Sequence, residues 1–236
     1  MQSTHVVPSE SHVSQGQLIK MVAVRLVVAI PLLFAVIFVP AGTLAFWEGW
    51  LYLAVLLIPM FFVMAYMLKN APDLLARRMK MRERETEQKG IVLLSTVLFL
   101  IAFIVPGLDF RFGWSDVPVP VVLLADLIVL LAYGFVILVF RENHYAARVV
   151  EVEQGQKVID SGPYALVRHP MYLGILVLYV FSPLALGSYW AVLPMLLMIP
   201  ILVARLRNEE TVLVRDLPGY GDYMQRTKYR LVPGIW

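Results

Sequence analysis

The sequence predicts an all-α, polytopic integral membrane protein with about six transmembrane helices. Hydrophobic residues make up 60% of the 236-residue chain and charged residues only 16%, whereas a soluble domain averages about 45–50% apolar and roughly 25% charged residues. Apolar runs of about 20 residues, the length that crosses the hydrocarbon core of a bilayer, recur along the chain. A water-soluble globule and a disordered chain are therefore both disfavoured.

Four apolar segments each qualify directly as a spanning helix, and they occupy 21–46, 47–68, 91–107 and 118–140. The residues before the first segment are polar, so no signal peptide is expected. Prolines fall inside the first two segments. A membrane helix tolerates proline because neighbouring helices satisfy the carbonyl groups that it frees.

The last apolar stretch, 171–206, is too long for a single crossing. As one helix it would measure about 54 Å at ~1.5 Å per residue. Pro183 and Gly187 lie near its middle. Two helices over 171–186 and 188–206 fit the bilayer thickness better, and they would form a C-terminal helical hairpin.

The distribution of basic residues supports six crossings and predicts the orientation. Nineteen of the twenty Lys and Arg residues fall on one side of such a topology, and only Arg111 falls on the other. Short loops retain positive charge on the cytoplasmic side. Both termini are therefore expected to be cytoplasmic. The basic 69–90 loop is either an interfacial helix against anionic lipid or, as favoured here, a solvated loop that holds the topology.

The chain divides into two predicted parts of different character. Residues 1–140 form the four spans, and residues 141–236 hold most of the side chains suited to chemistry. The absence of cysteine excludes disulfides, a thiolate nucleophile, iron–sulfur clusters and cysteine-ligated zinc. The four histidines are too scattered to form a metal cluster within one segment, so no metal is expected.

One group of donors and aromatic faces precedes the predicted hairpin. The chain reads Gly-Pro-Tyr over 162–164 and Arg-His-Pro-Met-Tyr-Leu-Gly over 168–174. Pro170 suits the first turn of a helix, so His169 should lie at a helix start on the cytoplasmic face. With Tyr164 and Tyr172, it could hold a polar, partly cationic ligand. The alternative, favoured by composition alone, is an interfacial belt that anchors a helix end.

A second group of charged residues follows the last predicted span. Arg205 and Glu209 are four residues apart and share one helix face, and Arg207 and Glu210 share another. Such pairs are ordinarily surface contacts worth a few tenths of a kcal/mol. Two adjacent carboxylates at a membrane edge are less ordinary, because charge there is costly unless it has a function.

Asp126 is an acidic residue inside a predicted span. It lies about 8 residues into the fourth segment, hence roughly 12 Å deep. Intramembrane charge is a functional signal by default, but no partner is obvious. We interpret Asp126 as a packing or protonated residue.

The order of these pieces resembles the isoprenylcysteine carboxyl methyltransferase family, within a wider group that includes phospholipid N-methyltransferases. The pieces are Gly-Pro-Tyr, Arg-His-Pro-Met-Tyr-Leu-Gly, a hydrophobic hairpin, Glu-Glu and a tail from Tyr223 to Pro233. The resemblance covers about residues 141–236. The first four spans match only as generic membrane helices.

The resemblance implies a membrane methyltransferase with a cytoplasmic pocket for S-adenosylmethionine. Its partners would be the bilayer and a lipophilic small-molecule or prenylated acceptor, with neither metal nor nucleic acid. Arg205 would bind the acceptor, and an upstream glutamine of the family falls near Glu151. The implied donor contacts are Gln156, Lys157, Val158, Ile159, Tyr164, His169, Pro170, Met171, Tyr172 and Glu209, with help from Glu210.

Elementary chemistry agrees with these roles. A sulfonium donor is cationic, so Glu209 can neutralise and orient it while tyrosine faces line its cationic centre. Methyl transfer is an in-line displacement, so catalysis should come from alignment and from removal of water. A carboxylate acceptor is already ionised at pH 7 and needs no general base, and Arg205 would clamp it. An amine acceptor would need a base, and none is unambiguous, which favours O-methylation.

Three other functions stay open at this point. The enzyme could methylate a phospholipid or another lipid amine. It could be a membrane reductase with a related C-terminal pattern and NADPH as its cofactor. It could also be a non-enzymatic scaffold in which the motif only anchors helices.

Overall fold

The computed structural model describes residues 14–78, 86–143, 145, 152 and 155–236. Helices account for the regular secondary structure there, and these residues contain no strand. The all-α prediction is therefore confirmed. In chain order the helices are α1 (Gln15–Ala41), α2 (Trp47–Asn70), α3 (Pro72–Arg78), α4 (Thr86–Phe112), α5 (Val119–Glu142), a 3-10 turn (Gly162–Ala165), α6 (Pro170–Ala185), α7 (Val192–Leu196), α8 (Met198–Asp216) and α9 (Tyr220–Arg226).

Four helices are long and apolar enough to cross a membrane: α1, α2, α4 over Leu93–Phe112, and α5. They coincide with the four predicted spans. Large apolar side chains cover their outer surfaces, and Val27, Phe62 and Leu131 are each more than 60% exposed. Exposed apolar surface on this scale marks a face that contacts lipid or another protein. The chain is therefore an integral membrane protein.

The first helix ends earlier than predicted. Gly42 adopts the left-handed conformation with φ 68°, and its N–H donates to the carbonyls of Phe38 and Val39. Such a glycine closes a helix, because a residue with a side chain rarely adopts this conformation. The helix therefore stops at Ala41 instead of continuing to 46. Pro31 and Pro40 lie inside α1, as the sequence predicts.

Part of the basic 69–90 loop is a packed helix and not a fully solvated loop. Helix α3 buries Leu75 against Leu18, Val22 and Met67, which belong to α1 and α2. The apolar side chain of Leu75 explains this packing, since burial removes it from water. Residues 79–85 lie outside the described part of the chain.

The C-terminal hairpin has one continuous helix and one interrupted helix. Helix α6 follows the predicted 171–186 closely. The second predicted helix, 188–206, is instead α7 followed by α8, with Leu197 between them. Pro200 lacks an N–H and its ring would clash with the carbonyl of Leu196, so the helix breaks there. Helix α8 then continues to Asp216.

Close helix contacts fix the position of α6. A Cβ atom added to Gly174 would lie 2.5 Å from Cγ2 of Val136, so α6 lies directly against α5 at this glycine. Similarly, a Cβ on Gly107 would lie 2.6 Å from the carbonyl oxygen of Ile37, which packs α4 on α1. These approaches require glycine because a larger residue would force the helices apart.

The hairpin connects two ends of the bundle. At one end, which we call the Asp109 end, Ser188 after α6 donates a hydrogen bond to Asp109 near the end of α4. At the other, the Glu210 end, the beginning of α6 meets Glu210 of α8. Helix α6 therefore runs from the end where α5 finishes to the end where α4 finishes, and α8 returns.

Asp126 is buried inside the helical bundle. Neither carboxylate oxygen has a hydrogen-bond partner in the structure. The hydroxyl of Tyr52 donates to Oγ of Ser182 at 2.9 Å in the same bundle. The absence of a hydrogen-bond partner for Asp126 agrees with the sequence, which offered no obvious partner.

Candidate active site

Glu210 is the centre of a buried charged cluster. Nε of Arg168 donates to its Oε1 at 2.7 Å, and Nε of Arg230 donates to its Oε2 at 2.7 Å. Nε2 of His169 lies 3.2 Å from Oε1. Arg168, His169 and Glu210 are all buried. A buried carboxylate is stable only when it is paired and hydrogen-bonded, and this one satisfies both conditions.

The cluster keeps Glu210 ionised. Burial by itself raises the pKa of the Glu210 carboxyl, but hydrogen bonds from His169, Arg168 and Arg230 lower it to about 2. Both carboxylate oxygens are engaged by these side chains. The predicted help of Glu210 in binding the donor stays a prediction, since the geometry gives this residue the task of joining α6, α8 and the tail.

Arg168 also fixes the C-terminal tail. Its Nη1 donates to the carbonyls of Thr227 and Lys228 at 2.8 and 2.9 Å. The backbone N–H groups of Arg168 and His169 donate to the carbonyls of Tyr229 and Arg230, both at 2.9 Å. The tail therefore lies against the first turn of α6, where these bonds hold it in register.

In a second cluster, two predicted site residues, Arg205 and Glu209, both form hydrogen bonds with the hydroxyl of a third, Tyr172. The hydroxyl of Tyr172 donates to Oε2 of Glu209 at 2.6 Å, and Nε of Arg205 donates to the Tyr172 oxygen at 3.1 Å. Tyr172 is buried, whereas Glu209 and Arg205 are half-buried. The prediction that Arg205 and Glu209 share a helix face is confirmed. The ring of His169 contacts that of Tyr172 edge-on with centroids 5.7 Å apart, so the two clusters adjoin.

Tyr164 is held from two sides. It lies in the 3-10 turn, and its carbonyl accepts a hydrogen bond of 2.8 Å from the hydroxyl of Tyr223 in α9. Nδ2 of Asn143, just after α5, donates to the Tyr164 hydroxyl at 2.9 Å. These bonds bring the 3-10 turn, the end of α5 and α9 together beside the start of α6.

The predicted donor segment 156–159 contacts α9 through Val158. Val158 packs against the buried residues Leu217, Tyr220 and Tyr223. Within the segment Lys157 is exposed and the other three residues are half-buried. Of the remaining predicted contacts, Pro170 begins α6 and is buried, and Met171 after it is half-buried.

The structure therefore brings most of the predicted residues to one end of the bundle. His169, Tyr172, Arg205 and Glu209 are in contact, and α9 connects them to Tyr164 and the 156–159 segment. The proposed pairing of Arg207 with Glu210 is replaced, because Glu210 bonds to Arg168, His169 and Arg230 and Arg207 is exposed. Glu151 lies outside the described residues.

Sequence reasoning missed four residues of this site: Asn143, Arg168, Tyr220 and Arg230. Arg168 had a signal, since it adjoins His169 in the quoted motif. Arg230 is a basic residue of the tail, and only the fold reveals that it reaches α8. Asn143 lies in the polar stretch that follows the fourth predicted span, whereas nothing in the local sequence pattern indicates that Tyr220 belongs here.

The structure thus combines a bundle of apolar helices with a buried cluster of acidic, basic and aromatic side chains at one end. The family model described as "Isoprenylcysteine carboxyl methyltransferase (ICMT) family" matches residues 122–215. This match confirms the resemblance to that family over the matched segment. The match begins inside α5 and ends in α8, before the tail. The chain matches no curated protein.

Proposed function

We propose that this protein crosses the membrane six times and uses S-adenosylmethionine to methylate a carboxylate on a lipophilic, isoprenylcysteine-type acceptor. The observation that carries this proposal is the contact of Arg205 and Glu209 with the hydroxyl of Tyr172. It places a cation and an anion side by side at one end of a lipid-facing bundle. Arg205 can bind an anionic acceptor, and Glu209 can bind a cationic donor.

The geometry of the hairpin supports six crossings. Helix α6 has 16 residues and is about 24 Å long at ~1.5 Å per residue. It runs between the same two ends as the four longer helices, and α7 and α8 return. The Glu210 end carries Arg168, Arg205 and Arg230, and cationic ends are retained in the cytoplasm. We place the donor site on that side.

The side chains present suit a cationic nucleoside donor. When bound, S-adenosylmethionine supplies an electrophilic methyl group on a sulfonium centre. The carboxylate of Glu209 is half-buried and can attract that positive charge, which is worth more at a partly desolvated site than in water. The ring of Tyr172 offers an aromatic face for a cation. Tyr164 and the 156–159 segment complete the donor side, and Glu210 positions His169 and Arg168 behind it.

Arg205 would hold the acceptor. A guanidinium matches a carboxylate in a bidentate geometry, and the planar fork orients it. A carboxylate is ionised at neutral pH, so no base is needed to activate it. Nε2 of His169 is engaged by Glu210, which argues against this histidine as the base that an amine acceptor would need. Alignment and exclusion of water would then supply most of the rate.

The roles of Glu209 and Arg205 can be separated by measuring donor binding and methyl transfer independently. We expect Glu209→Ala to abolish binding of S-adenosylhomocysteine in calorimetry, because it removes the carboxylate. We expect Arg205→Ala to retain donor binding and to lose acceptor methylation by a factor of a hundred or so, about the 3 kcal/mol of a charged hydrogen-bonded contact. The control is Arg207→Ala, an exposed residue of the same helix. Donor affinity in Glu209→Ala equal to that of the unaltered protein refutes the assignment.

The chemistry of the acceptor requires product analysis. Purified protein is incubated with methyl-labelled donor and a lipid extract, and the labelled product is then treated with mild base. Methyl esters release the label under these conditions, whereas N-methyl groups retain it. Retention would contradict O-methylation and support transfer to a lipid amine. A thermal shift with NADPH and none with S-adenosylhomocysteine would instead support the reductase.

A further inference from the structure

The hydroxyl of Tyr220 is a buried polar atom without a hydrogen-bond partner. The residue is only 4% exposed. A hydroxyl that loses its water without gaining a partner is costly, and native proteins rarely leave one in this state without a reason. Tyr223, whose ring centroid lies 5.6 Å away, shows the ordinary outcome, because its hydroxyl donates to the Tyr164 carbonyl.

The surroundings of Tyr220 are those of the proposed donor site. Tyr220 begins α9 directly after Gly219, which adopts the left-handed conformation with φ 83°. Its side chain packs in a group with Val158 of the donor segment and Leu213 of α8. Burial raises the pKa of the Tyr220 phenol, and the negative charges of Glu210 and Glu209 raise it further. The phenol is therefore protonated at neutral pH and carries a hydrogen that it can donate.

We infer that the Tyr220 hydroxyl hydrogen-bonds the nucleoside part of bound S-adenosylmethionine. This inference rests on the proposed function, and it adds a donor-binding residue that lies outside the quoted motifs. The nucleoside offers hydroxyl groups and ring nitrogens as uncharged partners. The carboxylate of the donor is a poorer partner at this place, because Glu209 and Glu210 would repel a third negative charge. Arg205, which is assigned to the acceptor, donates its hydrogen bond to Tyr172.

Tyr220→Phe should lower the affinity for the donor ligand without lowering the thermal stability of the ligand-free protein. The affinity for S-adenosylhomocysteine should fall about three- to tenfold, the size of one neutral hydrogen bond. The affinity for 5′-methylthioadenosine, which lacks the amino-acid part, should fall by the same factor. The thermal unfolding midpoint of the ligand-free protein in detergent should stay unchanged or rise, because the substitution removes only an unsatisfied hydroxyl. A hydroxyl that merely supports the fold would lower it.

The matched control is Tyr189→Phe, which removes the same atom from an exposed residue next to Ser188 at the Asp109 end. Its donor affinity and unfolding midpoint should equal those of the unaltered protein. Unchanged affinity in Tyr220→Phe, with normal binding by the unaltered protein, overturns the inference and leaves the proposed function intact. A lowered unfolding midpoint in the ligand-free variant also overturns it. Failure of the unaltered protein to bind S-adenosylhomocysteine overturns both.

Discussion

The two ends of the hairpin are each built around one buried carboxylate, but with different partners. Asp109 accepts hydrogen bonds from the backbone N–H and the hydroxyl of Ser115, both at 2.6 Å, and from the hydroxyl of Ser188. All of these donors are uncharged. Glu210 is bonded instead by two guanidinium groups and a histidine ring. Both arrangements join a helix end to a neighbouring loop or tail.

The difference shows that joining the helices does not by itself require ionised partners. Hydroxyl and amide donors suffice at the Asp109 end, at a smaller cost of desolvation. The Glu210 end adds a second carboxylate and a further arginine, Glu209 and Arg205, on the hydroxyl of Tyr172. Ionisable groups beyond those that hold the fold support placing the proposed active site at the Glu210 end.

The largest expected effect comes from breaking the charged end. Glu210→Ala leaves Arg168 and Arg230 without their shared carboxylate, and Arg168 is buried. Removal of one partner from a buried ion pair typically costs about 3–5 kcal/mol, because the remaining charge is uncompensated. The free energy of unfolding in detergent, compared with that of Arg207→Ala, measures this loss. A decrease below about 1 kcal/mol would show that Glu210 does not hold this end together.

Acid should weaken the same cluster selectively. The pKa of Glu210 falls from its ordinary 4.5 to about 2 in the folded protein. The stabilisation is therefore fully present above about pH 4.5 and is lost as the pH falls from there towards 2. Its size is roughly 3 kcal/mol, since one pKa unit corresponds to about 1.4 kcal/mol. Unfolding free energies measured across this window should fall more steeply for the unaltered protein than for Glu210→Gln. Parallel curves would contradict the assignment.

The smallest effect is expected at the neutral end. Ser188→Ala removes one hydrogen bond to Asp109 and one that Ser188 Oγ accepts from the backbone N–H of Ala191. Loss of such bonds between neutral donors and a buried acceptor should cost about 1–2 kcal/mol. Affinity for S-adenosylhomocysteine should not change, because the ends lie a full helix apart. A clear loss of affinity at equal protein concentration would mean that the two ends are coupled.

The helices that cross the membrane were predictable because the bilayer fixes their length. An apolar helix about 30 Å long spans the hydrocarbon core of the bilayer, and this requirement does not depend on which helices pack against it. Helix ends were less predictable, since they depend on single residues. The left-handed Gly42 stops α1 at Ala41, and Pro200 separates α7 from α8. Both effects are local, but several other glycines and prolines in these runs leave their helices intact.

The site could be predicted only as far as local spacing reaches. Arg205 and Glu209 converge because they are four residues apart on one helix, and His169 and Tyr172 are close in the same motif. The partners of Glu210 lie 42, 41 and 20 residues away in the chain. No periodicity connects such distant segments, so their contact follows from tertiary packing. For the same reason the orphaned hydroxyl of Tyr220 is visible only in the folded protein.

Because the tail is attached to the start of α6, how firmly the tail is held should depend on whether a ligand is bound. Carbonyl oxygens of residues 227–230 accept hydrogen bonds from Arg168 and His169, and Glu210 bonds to both of these residues as well. If the proposed donor site lies against Arg168 and His169, a ligand bound there should make this segment detach less often. Amide exchange along these last residues would therefore report binding without a labelled substrate.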